Sequence, residues 1–275
     1  MPAKGVAWRS RSWRSSEPVT EPAASSATPP SLCVADEATF WPWFSSPRIA
    51  AWPNREETLV ILPLAGMADW GLGHPLDAEE TVLTHVLRDA CRLVAPDRKP
   101  LVLPPMRFAF GADPGCAFPV DQPTAHASIA EVAASVGAAG FRKIAIFNSS
   151  PWSEELCNAA ARDLRVSRGL HMFHVHLSAL DLDFHPIRSR SRRRLQTLLT
   201  ALYGSEPESP GPKEPEARTA DWGDESVAPL SGAPVALAEA RIEGAAILAG
   251  AAGHLAKLIS EIRDHPPLSA RLAPA

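Results

Sequence analysis

From Thr58 onward the chain alternates short β-rich apolar runs with stretches of helical period, and this alternation confines it to a parallel sheet with crossover helices. Thr58 to Leu64 is a near-continuous apolar run, as expected of a strand covered on both faces. Glu79 to Val94 follows with Val82, His85, Val86, Ala90 and Leu93 at helical spacing. Leu101 to Leu103 reads as a short strand stopped by Pro104 and Pro105, which cannot donate to a ladder. Ala127 to Val136 is a helix, Arg142 to Phe147 a strand, Ser153 to Leu164 a helix and Leu170 to Leu177 a strand, with a basic helix from Arg192 to Tyr203. At least four βα units therefore predict one α/β domain over residues 56–265.

The flanks read differently. Residues 1–55 are rich in Pro, Ser and Ala and lack a sustained period, so they are expected to be disordered or extended. Lys4, Arg9, Arg11 and Arg14 without an acid give the first sixteen residues the look of a transit peptide, or of a plain solvated extension. Phe40-Trp41-Pro42-Trp43-Phe44 is too aromatic for water and should dock on the core or on a neighbouring subunit. Residues 204–232 form an acidic, Pro-rich loop. Residues 235–263 then read as a C-terminal helix with Ala238, Ile242, Ala245, Leu248, Ala252, Leu255, Ile259 and Ile262 on its buried stripe, and residues 266–275 are a tail.

Composition narrows the function. With 27 Lys and Arg against 31 Asp and Glu, a net charge of −4 leaves no basic excess to displace counterions from a nucleic acid. Cys33, Cys91, Cys116 and Cys157 are dispersed without a CxxC pair, which argues against a disulfide scaffold or zinc knuckle and fits a reducing cytoplasm. The greasiest stretch, Ile242 to Ile262, carries Glu243, His254 and Lys257, so no membrane span is expected.

Pro63-Leu-Ala-Gly-Met-Ala-Asp-Trp-Gly-Leu-Gly-His-Pro-Leu-Asp-Ala-Glu79 resembles the first motif of the creatininase family, P-x-G-S-x-E-x-H-G-x-H-L-P-x-x-x-D. Leu103 to Phe108 with Phe118-Pro119, Gly140 to Asn148, and Glu243 to Leu248 resemble further family stretches in the same order. The resemblance implies a three-layer α/β/α sandwich with a mostly parallel sheet, commonly a homohexamer, and an active site at the C-terminal ends of the strands. It also implies hydrolysis of small amides by two divalent metals, Zn or Mn, that activate water and polarise the carbonyl.

The ligands do not follow. The family's first Glu falls on Ala68, its next His on Trp70, its bridging Asp on Glu79, and the His of N-G-H-G-G-N on Ser150, with Trp152 two residues on. Its later Glu falls near Leu195. Alanine offers no donor atom and an indole only an N–H, so Glu79 alone could ligate and no metal is expected. A relocated site could use His74, Asp77 and Glu79, or His174 and His176, which a strand projects from one face. Ordinary roles compete: Asp77 as a helix cap with Glu79 and Glu80 in the first turn, and the histidines as bonded strand residues.

The run Arg188 to Arg194, with Arg190, Arg192, Arg193 and Arg194, opposes the dipole of the helix it begins and is expected to meet an anion, an acidic partner or the chain's own acidic loop. The residues thus point to a creatininase-like pseudoenzyme, a non-catalytic subunit or scaffold in a homo-oligomer or with an active relative. An amidohydrolase with relocated Zn or Mn ligands, and a small-molecule binder walled by Trp70 and Trp152, are the alternatives.

Overall fold

The computed structural model describes residues 38–110, 116–185, 192–207 and 235–266. Their backbone is organised by β1, Leu59–Ala65, every residue of which is buried, as its apolar run requires. Strand β2, Leu101–Val102, and β3, Met106–Arg107, pair with its two halves on one side. A separate two-stranded pair, β4 (Ala109–Phe110) with β5 (Pro119–Val120), lies off this sheet. On the other side of β1 come β6, Lys143–Asn148, and β7, His171–His176, so the order is β2-β1-β6-β7 and every pairing is parallel. Ile61 faces Ala145 and Ile146 faces His174 in register.

Connections from β1 run one way to β2 and those from β6 the other way to β7. The strand order therefore reverses between β1 and β6, and the crevice beyond their carboxyl ends is where such sheets place a site.

Helices cover both faces. Leu59 and Ile61 of β1, with Ala145 and Phe147 of β6, join α2 (Ala78–Leu93), α5 (Arg192–Tyr203) and α6 (Leu237–Asp264) in one apolar layer. Val60, Leu62, Leu64, Ile144 and Ile146 point the opposite way onto α3 (Gln122–Ala138) and α4 (Glu154–Arg168). The fold is the expected three-layer α/β/α sandwich, and all of these elements lie in one compact unit.

Two expectations need correction. Residues 38–52 are ordered although their composition places them with the extended segment. The Thr39 carbonyl accepts from Val102 N at 2.8 Å, and Phe40 bridges Val102 in parallel, so this segment extends the β2 edge. A short helix, α1 (Ser46–Ala50), follows, and Phe44 and Ile49 are buried in the layer with α3 and α4. Trp41 meets Phe141 at 4.9 Å, so the aromatic run docks on its own core. Residues 1–37, most of the acidic loop and the tail beyond 266 lie outside the described residues.

The second correction concerns α6, whose 28 residues match the expected span and whose stripe from Leu248 to Ile262 packs as expected, while the first half of the stripe is different. Ala240, Gly244, Ile247, Ala251, Ala252, Leu255 and Ile259 face inward, whereas Ile242 is 79% exposed and Ala238 and Ala245 look outward. Hydrophobicity favours Ile242 over Gly244, but close approach favours the glycine. A Cβ at Gly244 would stand 2.5 Å from Ala201 Cβ, so its absence lets α6 lie against α5. By length and composition α6 is also apolar enough to cross a membrane, contrary to expectation, although a third of its most apolar window is buried in this protein. At its end, Lys143 of β6 donates to the carbonyls of Arg263 and, at 2.8 Å, His265. That places a buried ammonium where the helix gathers unpaired acceptors.

Candidate functional site

Glu79 lies in the first turn of α2 and is 1% exposed, directly beyond the crevice between β1 and β6. Two donors hold its carboxylate: Gly66 N, one residue past β1, donates to Oε2 at 2.8 Å, and Trp70 Nε1 donates to Oε1 at 3.0 Å. Ser149 and Ser150, just past β6, also favour its charged form. Ser149 Oγ also lies 3.3 Å from the Leu64 carbonyl. Gly66 is needed for this packing, since a Cβ there would meet Glu79 Oε2 at 3.1 Å. Burial pushes the Glu79 carboxyl up to about 7, against the pull of these donors. When protonated it becomes a donor itself, and a serine hydroxyl can turn to accept from it.

An aromatic wall closes the corner. Trp70 stacks on Trp152 at 6.2 Å and 13° and leans on Phe184 at 5.6 Å, and His185 flanks Trp152 at 5.0 Å. The loop carrying Trp70 is held from outside: Asp69 Oδ1 accepts from Gly71 N at 2.8 Å, and Arg192 donates to the carbonyls of Trp70 and Gly71 at 2.5 and 3.4 Å. Ala68 is tied by its backbone, donating to the Leu76 carbonyl at 3.1 Å and bridging Cys116. The five positions Ala68, Trp70, Glu79, Ser150 and Trp152 thus lie in the segments that build this corner, with Trp70 bonded to Glu79 and stacked on Trp152.

The proposed relocated ligands point elsewhere. His74 stacks on Tyr203 at 5.4 Å, with Nε2 3.4 Å from Thr200 Oγ1, and burial pulls it down to about 4. Asp77 stands at the N-cap of α2 but caps nothing with its side chain. Its Oδ1 accepts from Tyr203 Oη at 2.5 Å and its Oδ2 lies 3.5 Å from Thr81 Oγ1. His176 lies between two amides: Asn148 Nδ2 donates to Nδ1 at 3.2 Å, which leaves Nε2–H to donate to Asn158 Oδ1 at 3.2 Å. His174, with its ring 5.2 Å from His176, is exposed, and its pKa is lowered by desolvation and by Arg165 and Arg162. Among the described residues no three His, Cys, Asp or Glu side chains converge as a metal would require.

The basic run is drawn inward. Arg192 serves the Trp70 loop and Arg194 pairs with Asp181 at 2.8 Å, while Arg193 is exposed and Arg190 lies outside the described residues. Sequence reasoning missed Gly66 and Ser149 as partners of Glu79. It also missed the neighbouring pair in which Arg107 of β3 grips buried Glu80 by two bonds of 2.7 and 2.8 Å. The readable signal for Gly66 was a glycine directly after a buried strand, where backbone must approach another group.

Solved structures share this arrangement of strands and helices. A creatinine amidohydrolase matches with TM-score 0.60 and 15% identity over 84% of this chain and 100% of its own. A mutant creatininase complexed with creatine gives 0.59 and 16%, over 82% and 99%. A putative creatinine amidohydrolase from Bacteroides fragilis gives 0.59 and 14%, over 84% and 98%. The chain has the creatininase fold. No family model matches the sequence, and no curated protein matches it.

The creatininase fold implies a metal pair at this corner, and the residues present do not fit one. A divalent ion needs lone pairs from several carboxylates and imidazoles. Here an indole N–H and a backbone N–H take one carboxylate oxygen each, and Ala68 supplies no side-chain donor atom.

Proposed function

We propose that this chain is a creatininase-like pseudoenzyme, a non-catalytic subunit or scaffold in which the corner used for hydrolysis has become a hydrogen-bonded structural node. The observation that carries the reading is the occupation of Glu79: each of its carboxylate oxygens accepts from a protein N–H, and among the described residues no three metal-ligating side chains converge. In this role Trp70 and Ser150 occupy ligand positions while holding α2 to the ends of β1 and β6. Exposed Arg193 is left for an acidic partner, an active relative among them. The test is metal content. Full-length chain dialysed against Zn or Mn and then freed of loose ions should retain far less than one ion per chain and hydrolyse no creatinine. A near-stoichiometric ion that disappears in Glu79→Ala would overturn the reading.

A second reading, a binder of a small amide or acid, draws on one observation. Trp152 Nε1 and Ser153 Oγ are buried beside the aromatic wall without a hydrogen-bond partner among the described residues. A buried donor left unpaired is costly, so a ligand acceptor or an internal water is expected there. Saturable quenching of tryptophan emission by creatine, the molecule held by one related structure, would favour a ligand, and an unchanged spectrum would disfavour that one.

A further inference from the structure

The two edges of the sheet are finished differently. At the β2 edge the segment around Thr39 and Phe40 lies alongside as a further partner. At the other edge, among the described residues, no strand pairs with the outer side of β7. The register settles which groups face that way. His171 N donates to the Arg142 carbonyl at 2.8 Å, so the backbone of His171, Phe173 and Val175 serves β6, while that of Met172, His174 and His176 is turned outward. The chain itself uses one outward group, since Arg165 Nε donates to the Met172 carbonyl at 2.8 Å. His174, the next outward residue, is exposed, and its N–H and carbonyl are the pair that a further strand would take.

The side chains along this edge say what kind of strand fits. Helix α4 runs antiparallel beside β7: Asn158 is bonded to His176, Arg165 to Met172, and Arg162 and Arg165 lie near enough to His174 to discourage its protonation. Arg162 is exposed and makes no ion pair or hydrogen bond among the described residues. Arg165 is held by a neutral carbonyl, which does not cancel its charge. Against these two cations stands Glu155, whose field also reaches His174. Two copies of the chain meeting edge to edge would set the cations against themselves, and like charges across a strand pair are destabilising. A nucleic acid would meet the charges but has no alternating N–H and C=O groups to offer the ladder. An extended acidic chain satisfies both.

We infer that the outer edge of β7 is a docking site for an extended acidic segment of another protein, which joins the sheet as an added strand with its carboxylates beside Arg162 and Arg165. The inference goes beyond the reading of the Glu79 corner and does not rest on it, because Glu79 and its donors lie away from this edge.

The probe is an end-blocked octapeptide alternating glutamate with threonine, added to the full-length chain and followed by calorimetry and amide hydrogen exchange. Saturable binding is expected. The His174 amide, fast to exchange in the chain alone, should slow at least about tenfold at saturation. The same peptide with lysine in place of glutamate should not bind. His174→Pro removes the outward N–H and leaves every bond to β6, so thermal unfolding should show the fold intact while affinity falls at least about fivefold. His174→Ala keeps that N–H and should bind like wild type. Arg162→Glu should weaken binding by about fivefold or more, since it removes an attraction and adds a repulsion. No binding up to about 1 mM, or equal binding of the lysine peptide, would overturn the proposal. Affinity that falls with Arg162→Glu but not with His174→Pro would mark a plain polyanion site and overturn it too. So would a His174 amide already protected in the chain alone, because the edge would then be filled by this chain or a second copy. None of these results bears on the metal test above.

Discussion

Glutamine at Glu79 isolates what burying that carboxyl costs. The group titrates near 7 in the folded chain and near 4.5 in the usual case. Below pH 4.5 both folded and unfolded chains hold the proton, and burial of this group costs nothing extra. Between 4.5 and 7 only the unfolded chain gives the proton up, so stability falls as pH rises. Above 7 the full penalty remains. The difference in pKa corresponds to about 3 kcal/mol at ~1.4 kcal/mol per unit. Glutamine keeps the shape of the side chain and removes the titration. It also turns one acceptor into an N–H donor, which costs something at every pH but adds no slope. Urea unfolding of wild type and Glu79→Gln at intervals from pH 5 to 8 is the assay. The variant should gain about 2.5 kcal/mol on the wild type across that range, since roughly 0.8 kcal/mol of the penalty is already present at pH 5. A constant offset between the two curves would refute the reasoning, because it would mean that the donors around it keep the carboxylate ionised throughout.

Trp70→Phe keeps an aromatic ring against Trp152 but strands Glu79 Oε1, and should lower stability by about 1–2 kcal/mol in the same assay, more at pH 8 than at pH 5. Arg107→Ala leaves the carboxylate of Glu80 buried without its two-pronged partner. With the guanidinium itself about a third exposed, a loss of about 2–3 kcal/mol is expected, and Glu80→Gln in the same background should recover part of it. Metal retention, as set out above, provides a further outcome.

The layers of the fold were legible because they rest on patterns that local sequence carries. The apolar run ending at Leu64 and the helical spacing from Val82 to Leu93 each have one reading, and parallel pairing follows from their alternation. The first half of the α6 stripe was misread because closeness of packing, not hydrophobicity, decides which side faces in. Gly244 is worth more against Ala201 than Ile242 would be. The segment around Phe40 was placed with the extended leader because its order comes from an edge strand some sixty residues away, to which local composition gives no clue. At the corner itself, the departures at Ala68, Trp70 and Ser150 were visible one by one. Their convergence on Glu79 was not, since two β–α turns and a helix start meet there only after the sheet has formed.

Lys143 offers a practical reporter. Among the described residues it is the lysine lodged beneath the last turn of α6, its amine engaged by backbone oxygens and its pKa lowered chiefly by desolvation. Acylating reagents should therefore modify Lys99 and Lys257 quickly and Lys143 at the pace with which that helix end lifts from the strand. Mass spectrometry of timed labelling would then read the fraying of the C-terminal helix at a single residue, without a mutation or a dye.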